Sequence, residues 1–530
     1  MGMKRWNKIT AAVAAASVMA CAAVALTPAG VFSAAETETV TGSDAAVDAA
    51  LAQTEAETAA EASDAQTEAE AAEQELSEAA AEEAADEQTE AEAQTEADVS
   101  GEAQTEADAE ASGSAGSVNF LASADGYELE QMVVLSRHNI RAPLSGKGSV
   151  LDTVTPYTWF EWTAGSSELS TRGGILETEM GQYFSKFLQS EGLIEDNWQP
   201  GKNEVRFYAN SKQRTIATAQ YFSSGMLPTA NVEIETHMVF DTMDPVFTPQ
   251  STFYSEAYVE QALKEIEAMD EDGLKGINES LSENYELLSD VIDFKNSEAY
   301  TSGEIADFNS DDTVVTLNQN KEPSMTGSLK IADSIADALI LQYYESDDPI
   351  AAAFGHDLTE EQWTMIADFR SVYGEVLFTA PSVCVNVAHP LLQEILSEMN
   401  ADGRKFTFLC GHDSNIGSVF AALGIEEYEL PNAIEKNTPI GSKFVIEKLL
   451  GEDGQEYVSL QLVYQSTDQL RGITMLSMDE PPCSCVLTLE GLEANEDGYY
   501  LLEDVEERFT EAINAYYSLP QDEKELSDAA

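Results

Sequence analysis

Three apolar stretches, over 131–135, 204–209 and 405–410, each run directly into a cluster of charged and polar residues. The first meets Arg137, His138 and Arg141. The second meets Asn210-Ser211-Lys212-Gln213-Arg214 and then a helix-like run over 215–222. The third meets His412 and Asp413, with Ser414 or Asn415 expected as a helix N-cap. Short apolar runs bounded by polar turns read as buried strands. A strand, a polar turn and a helix in succession is the α/β layout. In open α/β sheets ligands bind at the carboxyl ends of the strands. The repeated layout therefore predicts one sheet domain with all three clusters along one edge.

The texture changes over 231–373. Stretches at 255–269, 281–292, 328–344 and 359–373 carry apolar residues at helical spacing, separated by loops rich in Asp, Asn, Ser and Gly. This predicts a mostly helical insertion covering one end of the sheet. Residues 442–450 and 457–464 alternate like paired strands around Glu452-Asp453-Gly454, and a last helix is expected over 504–517.

The beginning of the chain is of another kind. Lys4, Arg5 and Lys8 precede a run of small apolar residues over 11–26, and Ser33-Ala34-Ala35 offers a small-residue cleavage site. Together they predict an export signal over 1–35. Cys21, after Val18-Met19-Ala20, loosely matches a lipoprotein box, so lipidation is the rival outcome. Residues 36–116 are low in complexity, with Gln-Thr-Glu-Ala starting at Gln53, Gln66, Gln88, Gln94 and Gln104 and no Lys or Arg between Lys8 and Arg137. So few large apolar residues cannot offset the entropy of ordering, which predicts a disordered, self-repelling acidic spacer or a passive solubilising tail.

The acid excess is not confined to that spacer. The chain carries 97 Asp plus Glu against 26 Lys plus Arg, a formal charge of −71. Such a surface excludes nucleic acid and anionic lipid as default partners. The five cysteines include Cys384, Cys410, Cys483 and Cys485 beyond Cys21, too few for a disulfide framework in a domain of this size, and their pairing stays open. No His lies near Cys483-x-Cys485, which argues against a zinc site there. Gly146-Lys147-Gly148-Ser149 lacks the first glycine of a nucleotide P-loop.

A neutral imidazole is a nucleophile, and arginine forks grip phosphate oxygens. His138 between Arg137 and Arg141, with Arg214 from a neighbouring strand end, therefore suits attack on phosphorus. His412 can hydrogen-bond a phosphoryl group. Asp413 can protonate a leaving alcohol if burial or nearby carboxylates raise its pKa. His237, His356 and His389 are expected to be structural.

The run Arg137-His138-Asn139-Ile140-Arg141-Ala142-Pro143 with the distant His412-Asp413 resembles the signature of the histidine acid phosphatases, Arg-His-Gly-x-Arg-x-Pro with a far His-Asp. Asn139 in place of Gly is similar to the bacterial glucose-1-phosphatase branch. So are Tyr208-Ala209-Asn210-Ser211, Gln213-Arg214-Thr215, Thr242-Met243-Asp244-Pro245, Gln342-Tyr343-Tyr344-Glu345, Thr438-Pro439-Ile440-Gly441 and Val463-Tyr464-Gln465-Ser466. The likeness spans roughly 127–508.

The resemblance implies an α/β, three-layer, phosphoglycerate-mutase-like domain over 117–230 and 374–530, with a helical cap insertion over 231–373. It implies that His138 is the nucleophile, that Arg137, Arg141, Arg214 and His412 hold phosphate, and that Asp413 donates the proton, with no metal or cofactor. Glu322, in the Glu322-Pro323 pair, and Leu144 would narrow the pocket mouth. A strongly negative protein repels an inositol polyphosphate more than a sugar monophosphate, within a screening length of about 8–10 Å. The expected activity is thus an extracytoplasmic phosphatase acting on a small phosphate monoester such as glucose 1-phosphate. No integral membrane domain is expected, but the N-terminal region offers cell-envelope attachment. The alternatives are a phytase, a phosphomutase on the related fold, and a non-catalytic surface binding protein.

Overall fold

The computed structural model describes residues 118–119, 123–144, 148–310 and 312–522. The expected export signal and acidic spacer, and residues 145–147 after Leu144, lie outside the described residues.

A mixed sheet forms the centre. Its strands are β1 (Val118–Asn119), β2 (Tyr127–Arg137), β3 (Val205–Ala209), β4 (Ile234–Glu235), β7 (Phe406–Gly411), β8 (Lys443–Gly451), β9 (Glu456–Tyr464) and β10 (Cys483–Val486), ordered β1-β10-β9-β8-β2-β7-β3-β4, with β11 (Tyr500–Leu501) beside β9. The pair β5 (Val314–Thr316) and β6 (Ser324–Thr326) forms a separate small hairpin. Strands β2, β7 and β3 are parallel neighbours, in register from Met132 opposite Phe406 to Arg137 opposite Gly411, and with Ala209 opposite Cys410. Their unbroken apolar runs are what burial on both faces demands.

Successive side chains of β2 point to opposite faces. Met132 and Val134 join a core with helices α1 (Thr171–Ser190) and α2 (Gln213–Met226). Val133 and Leu135 join a second core, under later helices described below. α1 and α2 cross closely because glycines meet at the crossing. A Cβ on Gly181 would stand 2.1 Å from the Phe222 carbonyl oxygen, and one on Gly225 would stand 2.2 Å from that of Thr178.

Between β4 and β7 the chain forms mainly helices. These are α3 (Glu256–Glu267), α4 (Gly273–Ser280), α5 (Ser282–Val291), α6 (Glu298–Thr301), α7 (Ser328–Glu345), α8 (Pro349–Ala352) and α9 (Glu360–Phe378), then α10 (Pro381–Met399). A third core joins these to Ile140, Leu176 and Ile440 at the sheet edge. The cover sits where the polar clusters emerge. The remaining helices are α11 (Asp413–Leu423), α12 (Thr467–Gly472) and α13 (Leu502–Tyr516). α10, α11 and α13 pack on the second face, which completes the three layers. No single helix among the described residues is long and apolar enough to cross a membrane.

Helices α1 and α10 lie in spans that the periodicity left unassigned. The N-cap of α11 is His412, not Ser414 or Asn415. The helix begins two or three residues earlier, so Asp413 is its first residue, and Asn415 instead accepts the His412 N–H through Oδ1 at 2.9 Å. Cys384, Cys410, Cys483 and Cys485 are all free thiols.

One buried acid gives a stability test. Glu447 on β8 is 3 % exposed, with Oε2 accepting from Gln461 at 2.8 Å and Oε1 unpartnered. Burial pushes its pKa up to about 8. The folded state thus holds a proton that the unfolded state releases near pH 4. That stabilisation is full below the ordinary carboxylate range and is lost as pH rises towards 8. Glu447→Gln should therefore raise Tm relative to wild type by an amount that grows from pH 5 to pH 8, read by thermal melts. A difference independent of pH would refute the assignment.

Candidate active site

The three clusters meet at the carboxyl edge of β2, β7 and β3. Backbone bonds lock the strand ends together: His138 N–H donates to the Gly411 carbonyl at 3.1 Å, Asn210 N–H to the Cys410 carbonyl at 2.9 Å, and Gly441 N–H to the His138 carbonyl at 3.1 Å. Residues 168–170 clamp the loop after His138 from outside, with Ala142 N–H on Glu168 and Ser170 N–H on Ile140, both 2.9 Å. Helices α2 and α11 begin at this edge, so the positive ends of both helix dipoles lie there.

His138 and His412 meet edge to face with ring centres 5.4 Å apart. His138 Nδ1 lies 2.9 Å from the Asn139 carbonyl oxygen, which can only accept, so Nδ1 carries the hydrogen and Nε2 keeps a free lone pair. Burial, and then Arg214 and Arg141, hold the His138 pKa well below its ordinary value. The ring is neutral, with the Nε2 lone pair uncommitted to Asn139. Beneath it the Asn139 amide receives Ile140 N–H on Oδ1 and donates to Glu177 Oε1, both at 2.8 Å. Glu177 pairs with the fully buried Lys443 at 3.1 Å, and Lys443 donates to the Gly441 carbonyl at 2.8 Å. Asn139 is thus part of the floor of the site. Gly441 must lack a side chain there, since its φ is +69° and a Cβ would stand 2.4 Å from Asn139 Nδ2.

The arginines differ in their partners. Arg137 donates to Glu435 Oε1 at 2.7 Å, to the Thr438 carbonyl, and faces Asp413 Oδ2 at 3.3 Å. Arg141 makes a two-pronged pair with Asp337 at 3.0 and 3.1 Å. Arg214 is 8 % exposed and, among the described residues, has no carboxylate at ion-pair distance. Burial, and then the like charge of Arg141, lower its pKa to about 10. One buried guanidinium therefore has no carboxylate at ion-pair distance among the described residues, and its charge, like that of Arg141, is felt by both His138 and His412.

Asp413 does not meet the expected condition of a raised pKa. Burial raises it, but the guanidiniums of Arg137 and Arg370 outweigh burial and hold the carboxyl far below the usual range. Arg370 donates to Asp413 Oδ2 at 2.9 Å and is itself fixed by Asp333 at 2.7 Å. About a third of the Asp413 side chain, 36 %, stays open towards the mouth. Desolvation raises the pKa of Glu322, just before β6, with Arg214 acting against it and Asp413 in the same sense, although its surface is open. Leu144 is 55 % exposed, and its carbonyl accepts from Ser166 at 3.4 Å.

Sequence reasoning missed Arg370, Asp333, Asp337 and Glu435. A signal was available. Arg370 is the sole arginine over 231–373, and Asp333 and Asp337 stand one turn apart on the buried side of α7.

Residues 128–465 match the sequence model of the histidine phosphatase superfamily (branch 2). The chain is 38% identical over 391 residues to a glucose-1-phosphatase of Providencia rettgeri, covering 73% of this chain and 92% of that one. It is 35% identical to the glucose-1-phosphatase of Salmonella typhimurium, with the same coverage. Among solved structures, the apo phytase of Hafnia alvei superposes with a TM-score of 0.69 at 25% identity, over 75% of this chain and all of that one.

Proposed function

Because the chain belongs to branch 2 of the histidine phosphatase superfamily, and so is a phosphoric monoester hydrolase, we propose that it cleaves sugar monophosphates such as glucose 1-phosphate through a phosphohistidine on His138. The observation that carries this is Arg214. A buried guanidinium with no carboxylate at ion-pair distance among the described residues, within electrostatic reach of a second arginine and a neutral imidazole, suits a compact anion.

The chemistry follows in two steps. His138 Nε2 attacks phosphorus, and the bond from phosphorus to the ester oxygen breaks. Arg137, Arg141, Arg214 and His412 take up the charge on the phosphoryl oxygens. The leaving alkoxide receives a proton from Asp413. At rest Asp413 is a carboxylate, so that proton arrives with the monoanionic ester, whose second ionisation lies near pH 6. Water then attacks phosphohistidine, the bond from phosphorus to His138 Nε2 breaks, and the water proton passes through Asp413 to the departing inorganic phosphate, which returns His138 to its neutral form and Asp413 to its carboxylate. This route needs no metal.

Substrate preference rests on charge. Glu322 at the mouth and the strongly negative protein both disfavour a polyphosphorylated ring. The identity of 38% to a glucose-1-phosphatase supports the same preference. In this reading 117–230 and 374–530 form the catalytic domain, 231–373 the cap, Leu144 part of the mouth, and the N-terminal residues an export signal and envelope-facing spacer outside the cytoplasm.

The test is steady-state hydrolysis of glucose 1-phosphate, phytate and p-nitrophenyl phosphate in EDTA. Preference for the sugar ester, falling above about pH 6, is the expected result. Preference for phytate would overturn the substrate assignment, and loss of all activity in EDTA would overturn the metal-free route.

A further inference from the structure

We infer that Asn210 is a positioning residue that fixes the tautomer of His412, so that His412 offers Nδ1–H to the phosphoryl group. This rests on the phosphatase reading above for what His412 grips.

The orientation of the Asn210 amide is settled by its neighbours. Asp244 N–H donates to Asn210 Oδ1 at 2.9 Å. A backbone N–H has no other role than donor, so the atom facing it is oxygen and the opposite atom is the NH2 group. That group lies 2.7 Å from His412 Nε2 and 3.2 Å from Met243 Sδ. An amide NH2 can only donate, so Nε2 must accept and carries no hydrogen. In a neutral ring the hydrogen then sits on Nδ1.

The surroundings hold both side chains in place. Asn210 is fully buried, at the end of β3, and its N–H is pinned to Cys410. His412 is 6 % exposed, and its backbone N–H is pinned to Asn415, which in turn donates to the Phe247 carbonyl at 2.9 Å. Burial and Arg214 keep the His412 ring neutral, with Arg141 and Arg137 acting in the same sense and Asp413 against it. A carboxylate at position 210 would accept where the amide donates, and would draw a second proton onto Nε2.

The test uses Asn210→Asp and Asn210→Ala in the full chain, with two readouts. Long-range 1H–15N spectra of 15N-histidine protein report the tautomer directly, and with only 5 histidines the signal lost in His412→Asn assigns it. Wild type should show Nδ1–H, unprotonated Nε2, and no titration between pH 5 and 8. Asn210→Asp should show an imidazolium in that range, and inhibition by inorganic phosphate should gain a matching pH dependence. Asn210→Ala should lower kcat/KM roughly ten-fold. Hydrogen on Nε2 in wild type, or an unchanged His412 in Asn210→Asp, would overturn the inference. Because the spectra are taken on resting enzyme, failure to hydrolyse any ester would count against the phosphatase chemistry alone.

Discussion

His138→Ala should reduce hydrolysis of every phosphate monoester by at least about 10⁴-fold, the scale on which losing a covalent nucleophile acts. The reason is positional as well as chemical. Nε2 is the one lone pair at the centre of the arginine cluster, because Nδ1 is committed to the Asn139 carbonyl at 2.9 Å. His412, the nearest other ring, has its own lone pair turned towards Asn210 at 2.7 Å and cannot substitute. Folding should survive, since the His138 side chain closes no ion pair and its loop is held by backbone bonds to Gly411 and Gly441. Phosphate should still bind through Arg141, Arg214 and His412. Equilibrium binding of inorganic phosphate beside the kinetics separates the two outcomes. A variant that keeps more than a tenth of wild-type kcat would contradict the nucleophile assignment, and a folded variant that neither binds nor turns over would contradict the division of labour.

Arg214→Ala should move activity and stability in opposite directions. Removing a preorganised donor to developing phosphoryl charge costs about 10²–10³ in kcat. Inhibition by inorganic phosphate should weaken alongside it. Yet Arg214 is buried without a carboxylate, and burial together with Arg141 lowers its pKa to about 10, which means its charge destabilises the unliganded fold. Its loss should therefore raise Tm in phosphate-free buffer. Arg214→Lys should recover little activity, because an ammonium lacks the planar fork. The contrast lies with Arg141, because Arg141→Ala strips the buried Asp337 of its two-pronged partner and leaves it only Arg370 at 3.7 Å. A fall in Tm for Arg214→Ala would mean that the guanidinium is structural.

The sequence carried the sheet edge because β2, β3 and β7 are local objects. Each is an apolar run that stops at a polar cluster, and parallel pairing brings the stops together. His138, Arg141, Arg214, His412 and Asp413 were legible for that reason. Glu322 was legible through the Glu322-Pro323 pair alone. What was not legible depends on pairs distant in sequence. Arg370 reaches Asp413 from the cap across 43 positions, and Arg137 reaches Glu435 across 298. The charge state of Asp413 followed those hidden partners, so the expectation of a raised pKa failed. Helix α1 escaped because Gly173, Gly174 and Gly181 interrupt its propensity, and only the close approach of α2 and the 138–141 loop explains them.

The chemistry is tested most directly by trapping the intermediate. Enzyme mixed with a 32P-labelled sugar monophosphate is quenched in alkali within milliseconds, digested and mapped. A phosphohistidine centred on His138 predicts label that survives alkali, is released by acid, and resides on the peptide containing His138, with none in His138→Ala. Label on another residue, or turnover with no labelled protein at any quench time, would contradict it.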